Sequence, residues 1–316
     1  MDYFMNITYL SLAGHVQLQE YRYVYFISTL SIYIFIICCN TVVIYVIVKN
    51  KRLHEPMYIF IAALLLNSLF GAVALYPKLL IDLLSEHQVI SYQACMLQAF
   101  CIYSYATVEF AVLSTMAFDR YVSICKPLQY ATLVNMHTVK KILLFSWFVP
   151  FCVNSTLMIL TCRLQLCKLK MNRIYCNNYS IVKLSCGDIT VNNSYGLFLL
   201  AIVVFPSLFF IVFSYIRILS VCLRNSKDFK RKAVQTCLPH ILVVIIFSVL
   251  SCFEIINNRL EANISHIMTM IISVINLVIP PICNPIIYGM RMQEILNGIK
   301  IIFTIYKPRN YFPQPK

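Results

Sequence analysis

The sequence predicts an all-α membrane protein: a seven-transmembrane helix bundle with an extracellular N-terminus and a short amphipathic helix after span 7. Of its 316 residues, 60% are hydrophobic and only 12% are charged, whereas a soluble domain carries about 25% charged residues. The apolar residues form seven long runs, and the basic residues gather between alternate runs. These features exclude a soluble globular enzyme, a disordered chain and a coiled coil.

The apolar runs are long enough to cross a bilayer, whose core of about 30 Å needs roughly 20 helical residues. The first run, near 24–48, contains no acidic or basic residue. The runs are continuously apolar and do not alternate, which disfavours a β-barrel. The other predicted spans lie near 57–77, 94–118, 142–162, 195–219, 238–257 and 266–289.

Three charged residues lie close to the ends of these spans. Lys78 and Asp82 follow the second span, and Glu254 lies near the outer end of the sixth. We expect each of them to reach a membrane interface by snorkelling.

The basic residues predict the orientation of the bundle. Most of the 26 Lys and Arg residues lie in the loops and tail that are inside when the N-terminus is outside, including the run from Arg224 to Lys232. The chain is thus expected to divide into an extracellular tail (1–23), a seven-transmembrane domain (24–289) and a cytoplasmic tail (290–316). The first 23 residues lack the pattern of a signal peptide, so span 1 is expected to act as an uncleaved anchor. The net charge of +14 fits attraction to anionic membrane lipid, and no nucleic acid partner is predicted.

Glycosylation sequons lie on the predicted outside at Asn6, Asn178, Asn192 and Asn263. We predict use of Asn6, which is expected to lie on a free tail away from the membrane. The sequon at Asn154 falls within span 4, where the glycosylation machinery cannot reach it, and is interpreted as a chance match.

Four of the 14 Cys residues lie on the oxidising side of the membrane. They are Cys95, Cys167, Cys176 and Cys186, an even set that predicts two disulfides but leaves three pairings open. A zinc site is the competing interpretation, and it lacks an accompanying CxxC motif or His pair.

Four local motifs carry family information. Span 3 ends in Met116-Ala-Phe-Asp-Arg-Tyr-Val-Ser-Ile-Cys-Lys-Pro-Leu-Gln-Tyr130, the most specific of the four. The others are Leu53-His-Glu-Pro-Met-Tyr-Ile-Phe60, Lys232-Ala-Val-Gln-Thr-Cys237 followed by His240, and Pro281-Ile-Cys-Asn-Pro-Ile-Ile-Tyr288. Together these motifs resemble those of the odorant (olfactory) receptors, a branch of the rhodopsin-like (class A) G-protein-coupled receptors. Details such as Asn67-Ser-Leu-Phe-Gly71 resemble the fish-type members of that family.

The resemblance implies an activation switch at the cytoplasmic end. Asp119 would hold Arg120 until the bundle opens, with Tyr121 beside them; the alternative is an interfacial Arg that snorkels to headgroups. Asn284-Pro285 bends span 7 by removing a backbone hydrogen bond. Tyr215 and Tyr288 are expected to swing inward on activation, or else belong to an aromatic belt. The disulfides implied by the family are Cys95–Cys176 and Cys167–Cys186.

Glu109 is the one carboxylate predicted in mid-membrane, and an intramembrane acid is a functional hypothesis by default. In relatives the corresponding site holds sodium together with an acid in span 2, where this chain has Asn67. Two alternatives therefore stay open: a sodium site, or a protonated Glu109 hydrogen-bonded to Asn67 or Asn284.

The ligand is expected in the outer half of the bundle, between spans 3, 5 and 6. Arg259, one turn beyond Ile255, is a candidate clamp for a carboxylate. Amines are disfavoured by this reasoning, because Ile102 occupies the position where amine-binding relatives use Asp. The candidate contacts are Ile102, Tyr103, Ala106 and Thr107 on span 3, and Ser248, Cys252, Ile255 and Arg259 on span 6.

The resemblance implies a receptor and not an enzyme, with no cofactor. Its partners would be a small-molecule odorant and a heterotrimeric G protein, of the stimulatory olfactory type that raises cyclic AMP. Its expected location is the plasma membrane of olfactory sensory cilia. A transporter would show matching broken helices, and a retinal protein would need a Lys in span 7; neither feature is present. A non-olfactory chemosensory or peptide receptor is the alternative, although 23 residues are few for a peptide-binding domain.

Overall fold

The computed structural model of the protein describes residues 8–14, 21–224, 226–259 and 266–305. The helices in these ranges are α1 (Arg22–Lys49), α2 (Pro56–Leu84), α3 (Tyr92–Cys125), α4 (Tyr130–Leu133), α5 (Met136–Cys162), α6 (Asn178–Val182), α7 (Thr190–Leu199), α8 (Phe205–Arg224), α9 (Lys227–Arg259), α10 (His266–Arg291) and α11 (Gln293–Ile305). Short 3₁₀ turns at Lys51–Leu53 and Pro127–Gln129 lead into α2 and α4.

Among the described residues, six helical segments are long and apolar enough to cross a membrane, and α10 adds a shorter apolar stretch at Val274–Met290. The six are α1, α2, α3, α5, the continuous segment Thr190–Arg224 that joins α7 to α8, and Cys237–Glu254 within α9. The prediction of a seven-helix bundle is thus confirmed, and α11 is the short amphipathic helix after span 7.

The helices run beyond the apolar spans because local signals, and not hydropathy, set their ends. Pro56 occupies the first turn of α2, where its missing N–H is no loss. The Ser91 side chain accepts a hydrogen bond from the backbone N–H of Ala94 and starts α3. Asn135 caps α5 in the same way at the N–H of Thr138.

The outward face of the bundle is apolar, as a lipid-facing surface must be. In α5, Leu144, Phe145 and Phe148 expose more than half of their surface. The interior contains both apolar side chains and a connected set of buried polar ones. Gly71 marks a close approach of α2 to α3, because a Cβ at this position would lie 2.7 Å from the ring of Tyr105.

A small three-stranded sheet covers one end of the bundle, with strand order β2-β1-β3. The strands are β1 (Tyr9–Leu12), β2 (Val89–Ser91) and β3 (Lys170–Met171). β1 pairs antiparallel with β2, Leu10 opposite Ile90, and parallel with β3, Leu12 opposite Met171. Leu10 and Leu12 alternate onto the buried face and are 0% and 1% exposed. The prediction of a free amino-terminal tail is therefore wrong for residues 8–14.

Two disulfides hold the segment between α5 and α7 at the same end. Cys95 at the start of α3 is bonded to Cys176, with their Cα atoms 5.3 Å apart, and Cys167 is bonded to Cys186, with Cα atoms 5.6 Å apart. Gln98 accepts a hydrogen bond from the backbone N–H of Cys176 at 2.9 Å. We call this end of the bundle the outer end and the end that carries Arg120 the inner end, after the predicted orientation.

Candidate ligand cavity and activation switch

A cavity of about 200 Å³ opens in the outer half of the bundle. Its walls come from α3, α5, α6, the α7–α8 segment, α9 and α10. For comparison, an apolar cavity of about 150 Å³ is large enough to hold benzene. The cavity is therefore of the right size for a small organic molecule.

The four predicted contacts on α3, namely Ile102, Tyr103, Ala106 and Thr107, all lie on the cavity wall. The hydroxyl of Thr107 donates to the backbone carbonyl of Tyr103 at 2.9 Å. The same oxygen then accepts a hydrogen bond from Nδ2 of Asn154, on α5, at 2.8 Å.

On α9 the cavity wall is rotated relative to the predicted face. Phe247, Ser251 and Glu254 line the cavity, whereas Cys252 is exposed on the outside of the bundle and Ser248 lies off the wall. Neither position lies on the wall of this cavity, because a face projected from α3 does not fix the rotation of another helix, and their role in ligand binding stays a prediction. The side chains of the other two candidates, Ile255 and Arg259, lie outside the described residues.

Glu254 does not snorkel to an interface but faces the cavity, where it is 8% exposed. The hydroxyl of Tyr175, from the loop that precedes α6, donates to Oε1 of Glu254 at 3.0 Å. Sequence reasoning placed Glu254 near the surface, although the rule that an intramembrane acid is functional by default applied to it equally well.

Asparagine amides are the second group of cavity residues that sequence reasoning missed. Asn154, read as a chance sequon, is completely buried on the cavity wall. Thr161 donates to Oδ1 of Asn178 at 2.7 Å and accepts from Nδ2 of Asn192 at 3.2 Å, which ties α5, α6 and α7 together. The full set of cavity asparagines is Asn154, Asn177, Asn178, Asn192, Asn193 and Asn276.

The backbone of the fifth span changes its winding beside the cavity. Leu200–Val204 forms one π-helical turn between α7 and α8 and ends two residues before Pro206. Such turns occur often at functional sites. Here the turn places Leu200, Val203 and Val204 on the cavity wall.

A buried polar cluster lies beneath the cavity around Glu109. Nδ2 of Asn67 donates to Oε2 of Glu109 at 2.7 Å, and Nδ2 of Asn284 donates to Oε1 at 2.8 Å. The nitrogen of Asn67 also donates to the carbonyl of Tyr105 at 3.0 Å, and that of Asn284 donates to the hydroxyl oxygen of Ser68 at 3.1 Å. Three helices, α2, α3 and α10, therefore meet at one carboxyl group.

The orientation of the two amides follows from their other partners. The carbonyl partner of Asn67 can only accept, and the Ser68 hydroxyl donates to the carbonyl of Leu64 at 3.2 Å, so both amides must present N–H groups to Glu109. Their oxygens, Oδ1 of Asn67 and Oδ1 of Asn284, are buried without a hydrogen-bond partner among the described residues. The hydrogen bonds of the second alternative are thus present, and the sodium site stays a prediction.

At the inner end of α3, Asp119 and Arg120 form an ion pair. Oδ2 of Asp119 accepts from Nη2 of Arg120 at 2.5 Å and from Nε at 3.0 Å, while Oδ1 accepts from the hydroxyl of Tyr130 at 2.8 Å. Asp119 is completely buried. Burial, together with the neighbouring Asp119 carboxylate, raises the pKa of Tyr130, so its phenol stays a donor at neutral pH.

A second polar link joins α8 to α9 at the same end. The hydroxyl of Tyr215 lies 2.6 Å from Nδ1 of His240, and Nε2 of His240 lies 2.9 Å from the carbonyl oxygen of Leu113 on α3. His240 was noted only as part of a motif. Its complete burial shows that it is an interior connection between three helices.

The remaining predicted switch residues lie close to these two links. Tyr121 is half-buried and packs against Ile218, Cys222 and Cys237. Tyr288 is completely buried, so it is not an aromatic-belt residue in this conformation. Asn284 and Pro285 are buried within α10.

The seven helices, the cavity at one end and the Asp119–Arg120 ion pair at the other define a G-protein-coupled receptor of class A, which is not an enzyme. A family profile described as olfactory receptor matches residues 29–305. The chain is 32% identical to human olfactory receptor 51E1 over 95% of each chain, and 34% identical to human olfactory receptor 52J3 over 87% of this chain and 88% of the relative. Mouse olfactory receptor 4B13 is 32% identical over 94% of this chain and 96% of its own length. The chain belongs to the olfactory receptor family; its resemblance to fish-type members stays a prediction.

Proposed function

We propose that this receptor binds a small odorant in the cavity between α3, α6, α7, α9 and α10, and that binding activates a heterotrimeric G protein at the inner end. The observation that carries the proposal is that two helices, α3 and α9, line the cavity and also carry the inner polar links. The proposed G protein is the stimulatory olfactory type, which raises cyclic AMP. The proposed location is the plasma membrane of sensory cilia.

Aromatic contacts at the floor of the cavity connect the proposed ligand site with the proposed switch at the inner end. Phe247 on α9 packs against Phe110 on α3 with ring centroids 4.8 Å apart and against Tyr105 at 6.4 Å. His240 lies two turns further inward on α9, about 10 Å along the axis at 1.5 Å per residue. A ligand that displaces Phe247 therefore acts on the same rigid helix that holds Tyr215.

Activation in this scheme is a shift between two populations of the bundle. An agonist favours the open state only to the extent that it binds that state more tightly. In the described conformation the Asp119–Arg120 pair and the Tyr215–His240 bond are both formed, which is the arrangement expected of the closed state. Release of Arg120 would expose its guanidinium to the G protein, and we propose the basic run Arg224 to Lys232 as a second part of that partner surface.

Filling the cavity tests the ligand site. Gly196 lies on the cavity wall, its φ is negative, and a Cβ there meets no atom within 4 Å. Gly196→Phe should therefore fold normally but abolish the response to every odorant that activates the unmodified receptor. Ala201→Phe, on the exposed side of the same span, is the matched control and should respond normally. An unchanged response in Gly196→Phe would place the ligand elsewhere.

Removal of Arg120 tests the switch. Arg120→Ala should abolish the cyclic AMP response while leaving surface expression largely intact, because the residue is needed at the G-protein face and not for the fold. The measurement pairs a cyclic AMP assay with antibody labelling of intact cells. An undiminished response at equal surface level would remove Arg120 from the switch.

A further inference from the structure

One hydrogen bond connects the segment before α6 with the outer end of α9. The hydroxyl of Tyr175 donates to Oε1 of Glu254 at 3.0 Å. Both residues line the cavity, and both are buried, with 3% and 8% of their surface exposed. Water therefore competes little for this bond, and a ligand in the cavity lies beside both of its partners.

The backbone next to Tyr175 is fixed to the rest of the bundle. Its neighbour Cys176 is disulfide-bonded to Cys95 at the start of α3, and the N–H of Cys176 donates to Oε1 of Gln98 at 2.9 Å. Nε2 of Gln98 donates in turn to the backbone carbonyl of Ala74, on α2, at 3.1 Å. The loop at Tyr175 is thus anchored on two helices, neither of which is α9.

The ring of Tyr175 is also held in place. It belongs to a buried apolar cluster that draws its members from α1, α2, α3 and α10, including Ile36, Leu75, Ile102 and Leu277. A ring packed among side chains of four helices cannot follow α9 if that helix moves, because protein interiors are close-packed. The hydroxyl is therefore presented to α9 from a fixed support.

α9 itself is a rigid connection between the two ends of the bundle. The stretch from His240 to Glu254 is helical throughout and contains no Pro or Gly, the residues at which helices most often kink. It is about 21 Å long at 1.5 Å per residue. Tyr215 holds the inner end of this stretch at His240, and Tyr175 holds the outer end at Glu254.

We infer that Tyr175 is a positioning residue for α9: its bond to Glu254 holds the outer end of this helix against the anchored loop and restrains the receptor in the closed state. This rests on the proposed function, since it concerns how the same helix passes to the open state. A ligand that displaces either side chain breaks the bond and shifts the bundle toward the open state.

Basal activity tests the restraint without the need for a known ligand. Tyr175→Phe removes the hydroxyl, keeps the ring, and should raise basal G-protein activation in membranes by about two- to tenfold, the effect of one hydrogen bond. Glu254→Gln keeps an acceptor for Tyr175 and should raise it less than Glu254→Leu does. Tyr9→Phe makes the same change as Tyr175→Phe on β1, where the side chain is 60% exposed, and should have no effect.

A double-mutant cycle separates this bond from the other contacts of the two side chains. Tyr175→Phe should raise basal activity in the unmodified receptor but not in the Glu254→Leu background, where the acceptor is already absent. In the Tyr215→Phe background the two effects should multiply, because the two bonds lie about 21 Å apart along α9.

A second readout does not depend on a G protein. Cys237, at the inner end of α9, is a free cysteine with 4% of its surface exposed, in a buried cluster with Ile218 and Cys222 of α8. Its alkylation by N-ethylmaleimide in purified receptor in nanodiscs, followed by peptide mass spectrometry, reports how often α9 opens. Tyr175→Phe should accelerate this reaction about two- to tenfold, and Tyr9→Phe should not.

The outcomes separate this inference from the proposed function. Unchanged basal activity and unchanged alkylation of Cys237 in Tyr175→Phe would overturn the positioning role, even if odorant potency changed. An effect of Tyr175→Phe that is equally large in the Glu254→Leu background would also overturn it. Faster alkylation in Tyr175→Phe, without G-protein activation in any variant or by any odorant, would support the restraint on α9 and reject the proposed function.

Discussion

Tyr215 and His240 share a hydrogen bond of 2.6 Å whose direction is fixed by a third residue. Nε2 of His240 lies 2.9 Å from the carbonyl oxygen of Leu113, which can only accept, so Nε2 carries the proton. Nδ1 is then the acceptor, and the Tyr215 hydroxyl is the donor. The chain of groups runs from α8 through α9 to α3 and needs a neutral imidazole.

Loss of this link should raise signalling without ligand. Tyr215→Phe removes one hydrogen bond of about 0.5–1.5 kcal/mol from the closed state, a two- to tenfold shift toward the open state. His240→Ala removes this bond and also the bond to the Leu113 carbonyl, so it should raise basal activity at least as much. The double variant should not exceed His240→Ala, because His240→Ala already removes the bond that Tyr215→Phe removes. Basal G-protein activation in membranes measures this.

Ser214→Ala is the control for that series. Ser214 precedes Tyr215 in the sequence, and its buried hydroxyl has no hydrogen-bond partner among the described residues. Its removal should therefore leave basal activity unchanged. Equal rises in Tyr215→Phe and Ser214→Ala would attribute the effect to packing of α8 and not to the bond.

Tyr130→Phe should also raise basal activity, again by about two- to tenfold. The substitution removes the donor to Oδ1 of Asp119 and leaves the ion pair with Arg120 as its main support. Tyr45→Phe makes the same chemical change on the exposed surface of α1 and should have no effect. A basal activity that stays at the level of the unmodified receptor would show that Tyr130 does not restrain Asp119.

The amides around Glu109 should stabilise the fold more than any sodium ion does. Asn284→Ala leaves one carboxyl oxygen without its donor, at a cost of about 1–3 kcal/mol, and should lower the melting temperature of the purified receptor. Exchange of KCl for NaCl should leave that temperature unchanged. A rise in melting temperature that is specific to NaCl and is absent in Glu109→Gln would show that Glu109 takes part in a sodium site.

The two disulfides should differ in how much they stabilise the fold. Cys95 and Cys176 are 81 residues apart, and Cys167 and Cys186 are 19 apart. The loop-closure relation gives about 4.5 and about 3 kcal/mol for these separations. We expect Cys95→Ser to retain the protein inside the cell more completely than Cys186→Ser does, with flow cytometry of surface label as the measurement. Stronger retention of Cys186→Ser than of Cys95→Ser would show that native contacts, and not chain entropy, determine the contribution of each disulfide.

Of the sequons at Asn6, Asn178 and Asn192, we expect only the one at Asn6 to carry a glycan. The side chains of Asn178 and Asn192 are 5% and 6% exposed and are hydrogen-bonded to Thr161, so Asn178→Gln and Asn192→Gln should not change the apparent mass. Asn6, which lies outside the described residues, is the predicted site, and Asn6→Gln should remove the mass lost on digestion with peptide N-glycosidase. A glycan that survives in Asn6→Gln would contradict this.

The spans could be predicted from sequence because each needs only length and continuous hydrophobicity. The rotation of a span about its own axis could not be predicted from sequence. In a membrane helix both the lipid-facing and the core-facing sides are apolar, so the pattern that distinguishes them in a soluble helix is weak. Cys252 and Ser251 are neighbours of similar character in the sixth span, and only the packing shows that the second faces the cavity.

The polar residues of the cavity were missed for a related reason. Asn154 and Asn178 carry sequons, and Glu254 lies near a span end, so each had a simpler explanation than a place in the interior. Their positions depend on hydrogen bonds that join residues far apart in the chain, namely Asn154 with Thr107, Asn178 with Thr161 and Glu254 with Tyr175. β1 was missed because a run of only four residues, Tyr9–Leu12, gives no reliable strand signal on its own.

Because β1 lies at the centre of its sheet, the sheet can form only after much of the chain has been synthesised. β1 is made first, yet its partners Val89–Ser91 and Lys170–Met171 follow much later in the chain. At about 5–20 residues per second, the ribosome needs roughly 4 to 15 s to pass from β1 to β2 and roughly 8 to 32 s to pass from β1 to β3. Until β2 has been made, β1 has no strand to pair with, and the sequon at Asn6, which precedes β1 in the sequence, is synthesised before either partner strand exists.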